Sequence, residues 1–463
     1  MVKLSFHGAD RGVTGSCHML ESLNRRILVD CGMFQGNREL AEENGGAFDF
    51  DPATIDYVLL THAHLDHCGR LPLLAKRGFR GEVIATSATC ELVRLVLIDA
   101  AHLQEEEARR RTNQRRRRGE NAVPTPLYTI LDVLNCLDRF GRTAEYEQSF
   151  DIAPGLRATF FDAGHILGSA SIRIEVNEGD KVRSVLFSGD IGNTGRPLLR
   201  PPAPPAQADF VVMESTYGDR LHRPFGASIE EFYTAICSAF ARGGNVIIPT
   251  FALERAQEIL YVMHEGVERS RLPPAVQVFL DSPMAISATQ IFERHAECLD
   301  PETARMFREG GDPLHVANLH FARETADSIA INRITGGAII MAGSGMCTGG
   351  RILHHLRHNL WRKESSVIFV GFAASGTVAR QIIDGASHVR LFGEDIPVRS
   401  VIHTINGFSA HADQQELLAW RRGISGCETT FLVHGEGPAM KQLADHLQSH
   451  RIEMPRLGEA FDL

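Results

Sequence analysis

Four short apolar runs in this chain each stop just before an ionisable residue. Tyr57-Val58-Leu59-Leu60 precedes His62, Ala158-Thr159-Phe160-Phe161 precedes His165, Val185-Leu186-Phe187 precedes Asp190, and Phe431-Leu432-Val433 precedes His434. Runs of three or four aliphatic and aromatic residues read as buried strands. Strands that deliver polar side chains from their ends imply an α/β sheet with its site along one edge. The runs lie far apart in sequence, so one domain is expected to be interrupted by another.

The stretch between them has a different rhythm. From about 208 to 390, apolar runs at 210–213, 245–249, 276–280, 338–342 and 367–371 alternate with helical stretches such as 228–241 and 253–268. That alternation predicts a parallel α/β domain. The Pro-rich segment 197–205 can continue neither a helix nor a central strand and reads as the linker into it. At 463 residues the chain exceeds what one hydrophobic core supports, and its 43% hydrophobic, 23% charged composition is that of an ordinary globular protein. No apolar run reaches the roughly 20 residues a membrane span needs, and the first residues lack the basic-then-apolar plan of a signal peptide. A cytoplasmic protein without membrane contact is therefore expected.

Nine cysteines without a C-x-x-C pair suggest neither a disulfide framework nor a Cys-type zinc site. A formal charge of −9 excludes coating of nucleic acid by bulk electrostatics, while leaving room for a local basic cleft. One charge run, Glu105-Glu106-Glu107 followed by Arg109 to Arg111 and Arg115 to Arg118, reads first as a solvated helix face with acid-base pairs three or four positions apart.

The segment Thr61-His62-Ala63-His64-Leu65-Asp66-His67-Cys68-Gly69 places three imidazoles and a carboxylate within six residues at a strand end. These are the ligands that zinc accepts, and a turn can aim alternating residues at two adjacent ions. Six residues cannot close two sites, so ligands must come from elsewhere. His165, Asp190 and His434 are the candidates, each by itself suited either to a metal or to a buried polar role.

The ordered set of Asp30 in Leu28-Val29-Asp30-Cys31-Gly32, the H-x-H-x-D-H cluster, His165 and Asp190 resembles the metallo-β-lactamase superfamily. The inserted block resembles its β-CASP branch of RNA nucleases, which includes the nuclease subunit of the cleavage and polyadenylation specificity factor and its bacterial and archaeal relatives. The resemblance implies an α/β fold: a four-layer αββα sandwich formed by residues 1–207 and 396–463, with a β-CASP domain at 208–395. It also implies two Zn2+ per chain, one held by His62, His64 and His165, the other by Asp66, His67 and His434, with Asp190 bridging. Asp30 would orient ligands from behind. The branch carries an acidic residue opening the insertion, matched by Glu214 in Glu214-Ser215-Thr216-Tyr217-Gly218, and a histidine matched by His411 in Gly407-Phe408-Ser409-Ala410-His411-Ala412-Asp413. His403 lacks that context and is read as structural. The chain lacks the added N- and C-terminal modules of some relatives, so the two core domains would have to grip RNA themselves.

The activity implied is hydrolysis of single-stranded RNA by a metal-activated hydroxide, endonucleolytic with a 5′-to-3′ exonucleolytic alternative. Asp66, His411 and Glu214 would be the catalytic residues. His411 would donate a proton to the leaving oxygen, and Glu214 would orient it and raise its pKa. The loop Gly343-Ser344-Gly345-Met346-Cys347-Thr348-Gly349-Gly350-Arg351, and Ser375-Gly376-Thr377 with Arg380, each follow a strand and open a helical stretch, so they are candidates to hold phosphate; Arg255 and Ser409 join them as RNA contacts. A homodimer is compatible with the resemblance, and no sequence feature speaks for or against it. A hydrolase of some other ester on the same fold, and an RNA-binding scaffold without activity, are the competing readings. The long insertion argues against the first and the intact ligand positions against the second.

Overall fold

The structure, a computed structural model, describes residues 2–36, 42–117, 124–179, 181–371, 373–374, 376–447 and 451–463. By its internal contacts the chain forms two compact units. One comprises Met1–Thr194, Pro201–Leu221 and His411–Leu463, the other Gly195–Arg200 and His222–Ala410.

The first unit holds two seven-stranded sheets. One runs in the order Ala460–Asp462, Lys3–Phe6, His18–Ser22, Arg25–Val29, Tyr57–Leu59, Glu82–Thr86, Phe140–Ala144. The other runs Arg451–Glu453, Thr429–Val433, Phe210–Glu214, Val182–Phe187, Ala170–Asn177, Leu156–Asp162, Phe150–Ala153. Alternation along each strand divides the side chains between two layers. Val185, Phe187, Val212, Phe431 and Val433 point inward to a core shared with Leu4, Phe6, Leu20, Val29 and Leu59 of the first sheet. Their neighbours Leu186, Val211, Met213 and Leu432 point the other way, onto Leu417, Trp420, Met440 and Leu443 from the helices Gln414–Arg422 and Gly437–His446. The outer face of the first sheet is covered by the helix Ser87–Arg117, which contacts the strands Glu82–Thr86 and Phe140–Ala144. The result is the expected four-layer αββα sandwich.

The second unit is built on a six-stranded sheet of order Leu319–Phe321, Gln277–Asp281, Ala338–Ala342, Val246–Pro249, Ser366–Phe369, Val401–Thr404, with every pairing parallel. The helices Phe225–Ala241 and Arg255–Glu268 fall on the stretches whose periodicity predicts them. Two strands change place: Val401–Thr404, expected in the sandwich, pairs in parallel with Ser366–Phe369 in this sheet. Phe210–Glu214, read with the inserted block, pairs in parallel with Val182–Phe187 and Thr429–Val433 in the sandwich. A fully buried parallel strand is an unbroken apolar run whichever sheet it joins, so its composition could not decide between them. Residues 197–205 form neither helix nor strand. Among the described residues, no helix is long and apolar enough to cross a membrane.

Candidate metal centre

Six strands of the sandwich end where the chemistry begins. Asp30 follows Arg25–Val29, His62 follows Tyr57–Leu59, His165 follows Leu156–Asp162, Asp190 follows Val182–Phe187, Glu214 closes Phe210–Glu214, and His434 follows Thr429–Val433. Within each sheet these strands share one direction, so their ends gather at one edge. Two tight approaches seat the loops. A side chain at Gly32 would meet the Asp66 carbonyl, and one at Gly192 the Gly164 carbonyl beside His165, each under 2 Å away. Asp30 and His434 sit at φ +65° and +49°, backbone positions unusual for residues with a Cβ and characteristic of sites where function outranks local comfort.

The H-x-H-x-D-H segment divides at a single helical turn, Leu65–Cys68, with His64 extended at its start. His62 and His64 join His165; Asp66 and His67 join His434. In the first cluster, His64 Nδ1 lies 3.1 Å from His62 Nε2 and 3.2 Å from His165 Nε2. Bonds of about 2.0–2.1 Å to a tetrahedral ion set nitrogen ligands roughly 3.3 Å apart, so the spacing is that of a ligand set. Burial lowers all three histidines, His64 to about 3 with His62 adding to the effect, and keeps them in the neutral form that ligates. In the second cluster His67 Nε2 and His434 Nε2 are 3.3 Å apart, with Asp66 Oδ2 3.6 Å from the latter.

Asp190 stands between the clusters. Its Oδ2 is 3.4 Å from His62 Nε2 and 3.5 Å from His165 Nε2, and its Oδ1 is 3.3 Å from His67 Nε2 and 3.6 Å from His434 Nδ1. That Oδ1 is buried and forms no hydrogen bond. A buried carboxylate oxygen without a donor is costly and asks for a cation. Burial works to raise the Asp190 carboxyl, but the surrounding histidines, His434 first, hold it well below the usual carboxylate range. His67 shows the converse. Burial would lower it, and Asp190 and Asp30 together push it well above its ordinary value. The donor set and its negative charge fit divalent ions at both clusters.

Behind the ligands, Asp30 accepts from His67 Nδ1 at 2.7 Å and from the Thr61 amide at 2.8 Å, which turns His67 Nε2 toward the cluster. The Thr61 hydroxyl donates to Asp30 at 2.9 Å and lies 3.0 Å from His62 Nδ1; Thr216 Oγ1 lies 3.1 Å from His434 Nδ1. Sequence reasoning missed both threonines. Thr61 adjoins His62, and Thr216 lies two residues after Glu214, which was the available signal. Glu214, fully buried, accepts from the Ile191 amide at 2.6 Å and faces His411 Nδ1 at 3.2 and 3.3 Å. Burial works to lower His411, but Glu214 and then Asp190 outweigh it and raise the imidazole to about 9. The His411 ring centroid lies 4.5 Å from that of His165, which puts the protonated imidazole beside the first cluster.

With this geometry in view, the comparisons with known proteins converge. The model of the metallo-beta-lactamase superfamily matches residues 10–249, and a ribonuclease of Thermus thermophilus is 41% identical over 454 residues, covering 98% of each chain. The chain belongs to the metallo-β-lactamase superfamily. Within that superfamily it falls in the β-CASP branch, since the Beta-Casp domain matches residues 256–382 and the Zn-dependent metallo-hydrolase RNA specificity domain residues 395–455. The transcription termination factor FttA of Methanococcus maripaludis is 33% identical, covering 94% of this chain and 67% of its own length. An RNase J-like protein of Methanocaldococcus jannaschii is 30% identical, covering 94% of this chain and 93% of its own length. A crystal structure of a protein of unknown function from Enterococcus faecalis aligns over the whole of both chains with a TM-score of 0.58 at 10% identity, a likeness of fold alone.

The residues expected to meet RNA belong to the other unit of this metallo-β-lactamase protein, apart from the unit that carries the clusters. Ser344 and Gly345 follow the strand Ala338–Ala342, and Thr377 caps the helix Val378–Ile383 after Gly376 at φ +82°. Ser375 lies outside the described residues, as does Arg118. Arg380 is exposed and pairs with Asp384. The other two arginines have internal partners. Arg351 bonds Asp281 Oδ1 at 2.6 Å and the carbonyls of Ala322 and Arg323 at 2.9 and 2.7 Å, while Arg255 is buried against Glu258. Ser409 presents its carbonyl to Arg196 at 3.0 Å. His403, on Val401–Thr404, lies 3.5 Å from Ser366 Oγ, in the other unit from the clusters.

Proposed function

We propose that this protein is a two-zinc ribonuclease that hydrolyses phosphodiester bonds of single-stranded RNA, leaving 5′-phosphate and 3′-hydroxyl ends. The observation that carries the reading is the Asp190 carboxylate, whose two oxygens face two separate ligand clusters. The names of the relatives, a ribonuclease and an RNase J-like protein, support RNA as the substrate. His62, His64 and His165 would hold one ion and Asp66, His67 and His434 the other, with Asp190 facing both sets. Bound there, divalent ions would supply a water of lowered pKa and neutralise charge on the phosphoryl oxygens.

The remaining chemistry belongs to side chains. Asp30 and Thr61 fix the tautomer and direction of His67, and Thr216 does so for His434. Glu214 binds the Nδ1 edge of His411, so Nε2 on the opposite edge hands a proton to the departing 3′-oxygen, a contribution of about a hundred- to ten-thousandfold. The acceptance of Ile191 N by the same carboxylate ties the acid to the loop that bears Asp190.

The test uses the purified protein and its Asp66→Ala variant, elemental analysis of both, and end-labelled single-stranded RNA with the matching DNA. About two zincs per chain, with RNA cleavage abolished in the variant, is the expected result. Metal present without cleavage of either nucleic acid would move the protein to another hydrolase class, and the fragment pattern separates endonucleolytic from exonucleolytic cutting.

A further inference from the structure

We propose that Phe251 is a stacking platform for an unpaired nucleobase of RNA, held ready by the glycine-bearing loops on either side of it. The proposal rests on the ribonuclease reading for its choice of RNA as the ligand, and it concerns only the unit built on the six-stranded sheet. In a parallel α/β sheet, ligands bind outside the carboxyl ends of the strands. Three neighbouring strands, Ala338–Ala342, Val246–Pro249 and Ser366–Phe369, end side by side there, and Gly345, Phe251 and Gly371 follow them in that order. All three residues line one shallow hollow.

Phe251 is 41% exposed, although the chain around it is packed. Ala252 and Leu253 are buried, and the Thr250 amide donates to the Ala342 carbonyl at 3.0 Å, so the turn that carries the ring is fixed. The loop beside it is braced as well. The Ser344 hydroxyl accepts from the Thr348 amide at 3.1 Å, the Ile352 amide donates to the Gly343 carbonyl at 3.1 Å, and Cys347 is fully buried. A Cβ at Gly345 would lie 2.6 Å from the ring and one at Gly371 3.9 Å, so only a residue without a side chain at 345 lets the ring keep its place. Single exposed phenyl groups are ordinary on protein surfaces. A phenyl seated between bare backbone segments at the ligand-binding edge of a sheet is different, because a flat heterocycle can cover it without any rearrangement. Single-stranded RNA presents such heterocycles, and stacking tolerates any sequence because every base has a π-face. The charges point the same way. At a formal −9 the chain cannot hold RNA by bulk electrostatics, and Arg351, Arg255 and Arg380 of this unit pair with Asp281, Glu258 and Asp384. Part of the grip must then come from contacts that salt does not weaken.

The experiment measures Kd for single-stranded RNAs that are intact or carry one abasic residue at successive positions, by stopped flow so that binding is read ahead of cleavage. The proteins are wild type, Phe251→Ala, Phe251→Leu, Phe251→Tyr and Phe392→Ala. Phe392, 53% exposed on the turn between His388–Leu391 and Glu394–Pro397, controls for an exposed ring elsewhere in the unit. We expect Phe251→Ala to weaken binding of intact RNA about five- to a hundredfold, by the same factor at low and high salt, with metal content and thermal unfolding unchanged. Phe251→Leu, which keeps apolar bulk and so guards against a loss through folding, should lose most of that factor too. Phe251→Tyr and Phe392→Ala should bind as wild type. Removing one particular base should cost wild type the same factor and cost Phe251→Ala nothing, because ring and base act as one pair. Wild-type affinity in Phe251→Ala, a flattened salt dependence, an equal loss in Phe392→Ala, or losses that multiply at every abasic position would overturn the proposal. RNA bound through Phe251 but not cleaved would leave the stacking site standing and refute the ribonuclease reading; cleavage with multiplying losses would do the reverse, and a wild type that binds no single-stranded RNA would overturn both.

Discussion

Replacing Glu214 by Gln removes a charge while keeping an oxygen for the Ile191 amide, and it isolates what that carboxylate does to His411. The imidazole stands at about 9 against an ordinary 6.5. A difference of about 2.5 pH units corresponds to about 3 kcal/mol in favour of the protonated form. Burial opposes that preference, Glu214 is the first contributor to it, and Asp190 and Asp66 follow. The latter two are committed to the ligand clusters, which leaves Glu214 to keep the proton on His411. The sign follows from the role. A general acid works when protonated, so kcat holds up to about pH 9 in the wild type and falls above it. With Glu214→Gln the fall moves down to about pH 6.5 or lower, giving less than about a twofold loss at pH 6 and about a thirtyfold loss at pH 8. The assay is kcat against pH on saturating single-stranded RNA, with metal content measured at each end of the range. A Glu214→Gln enzyme whose loss is the same at pH 6 and pH 8 would refute the argument, because the alkaline limb would then belong to another group.

Three further outcomes are expected. Asp30→Asn should weaken metal affinity by about ten- to a hundredfold, read by competition with a chelator, without unfolding the protein, since the carboxylate orients His67 rather than ligating. Arg351→Met should leave Asp281 with Ser328 and His355, each at 2.6 Å, but without a partner for its other oxygen, and so cost about 1–3 kcal/mol in denaturant unfolding while leaving the salt dependence of RNA binding unaltered; a flatter salt slope at unchanged stability would make Arg351 a phosphate contact instead. Phe431→Ala, which empties the space between Phe6 and Phe461 at centroid distances of 5.5 and 5.0 Å, should destabilise the sandwich by about 3–5 kcal/mol, and a cost under about 1 kcal/mol would mean the two sheets close over the gap.

What could be read from the sequence was local. A strand followed closely by His or Asp announces itself within a few residues, and four such places account for the sheet-end positions of His62, His165, Asp190 and His434, while Asp30 and Glu214 were legible only through the family resemblance. The H-x-H-x-D-H segment was legible for the same reason. What escaped depended on register between distant segments. Nothing near Arg351 in sequence predicts that Asp281, on a strand of another part of the sheet, will take its guanidinium. Nor does Phe210–Glu214 carry any mark of which sheet it joins, because both sheets bury such a strand on two faces. Thr61 and Thr216 were invisible for a different reason, since a threonine beside a ligand becomes a support only when its hydroxyl turns toward the imidazole.

The donors of the second ligand cluster lie at Asp66, His67 and His434, and the strand leading to His434 is held between Phe210–Glu214 and Arg451–Glu453. A ribosome releases the first two donors long before the third exists, and the neighbouring strand Arg451–Glu453 comes later still. A nascent chain that stops short of residue 434 therefore lacks a donor of the second cluster. Ions bound to the assembled cluster alone would add their affinity to the stability of the folded protein and not to that of such fragments.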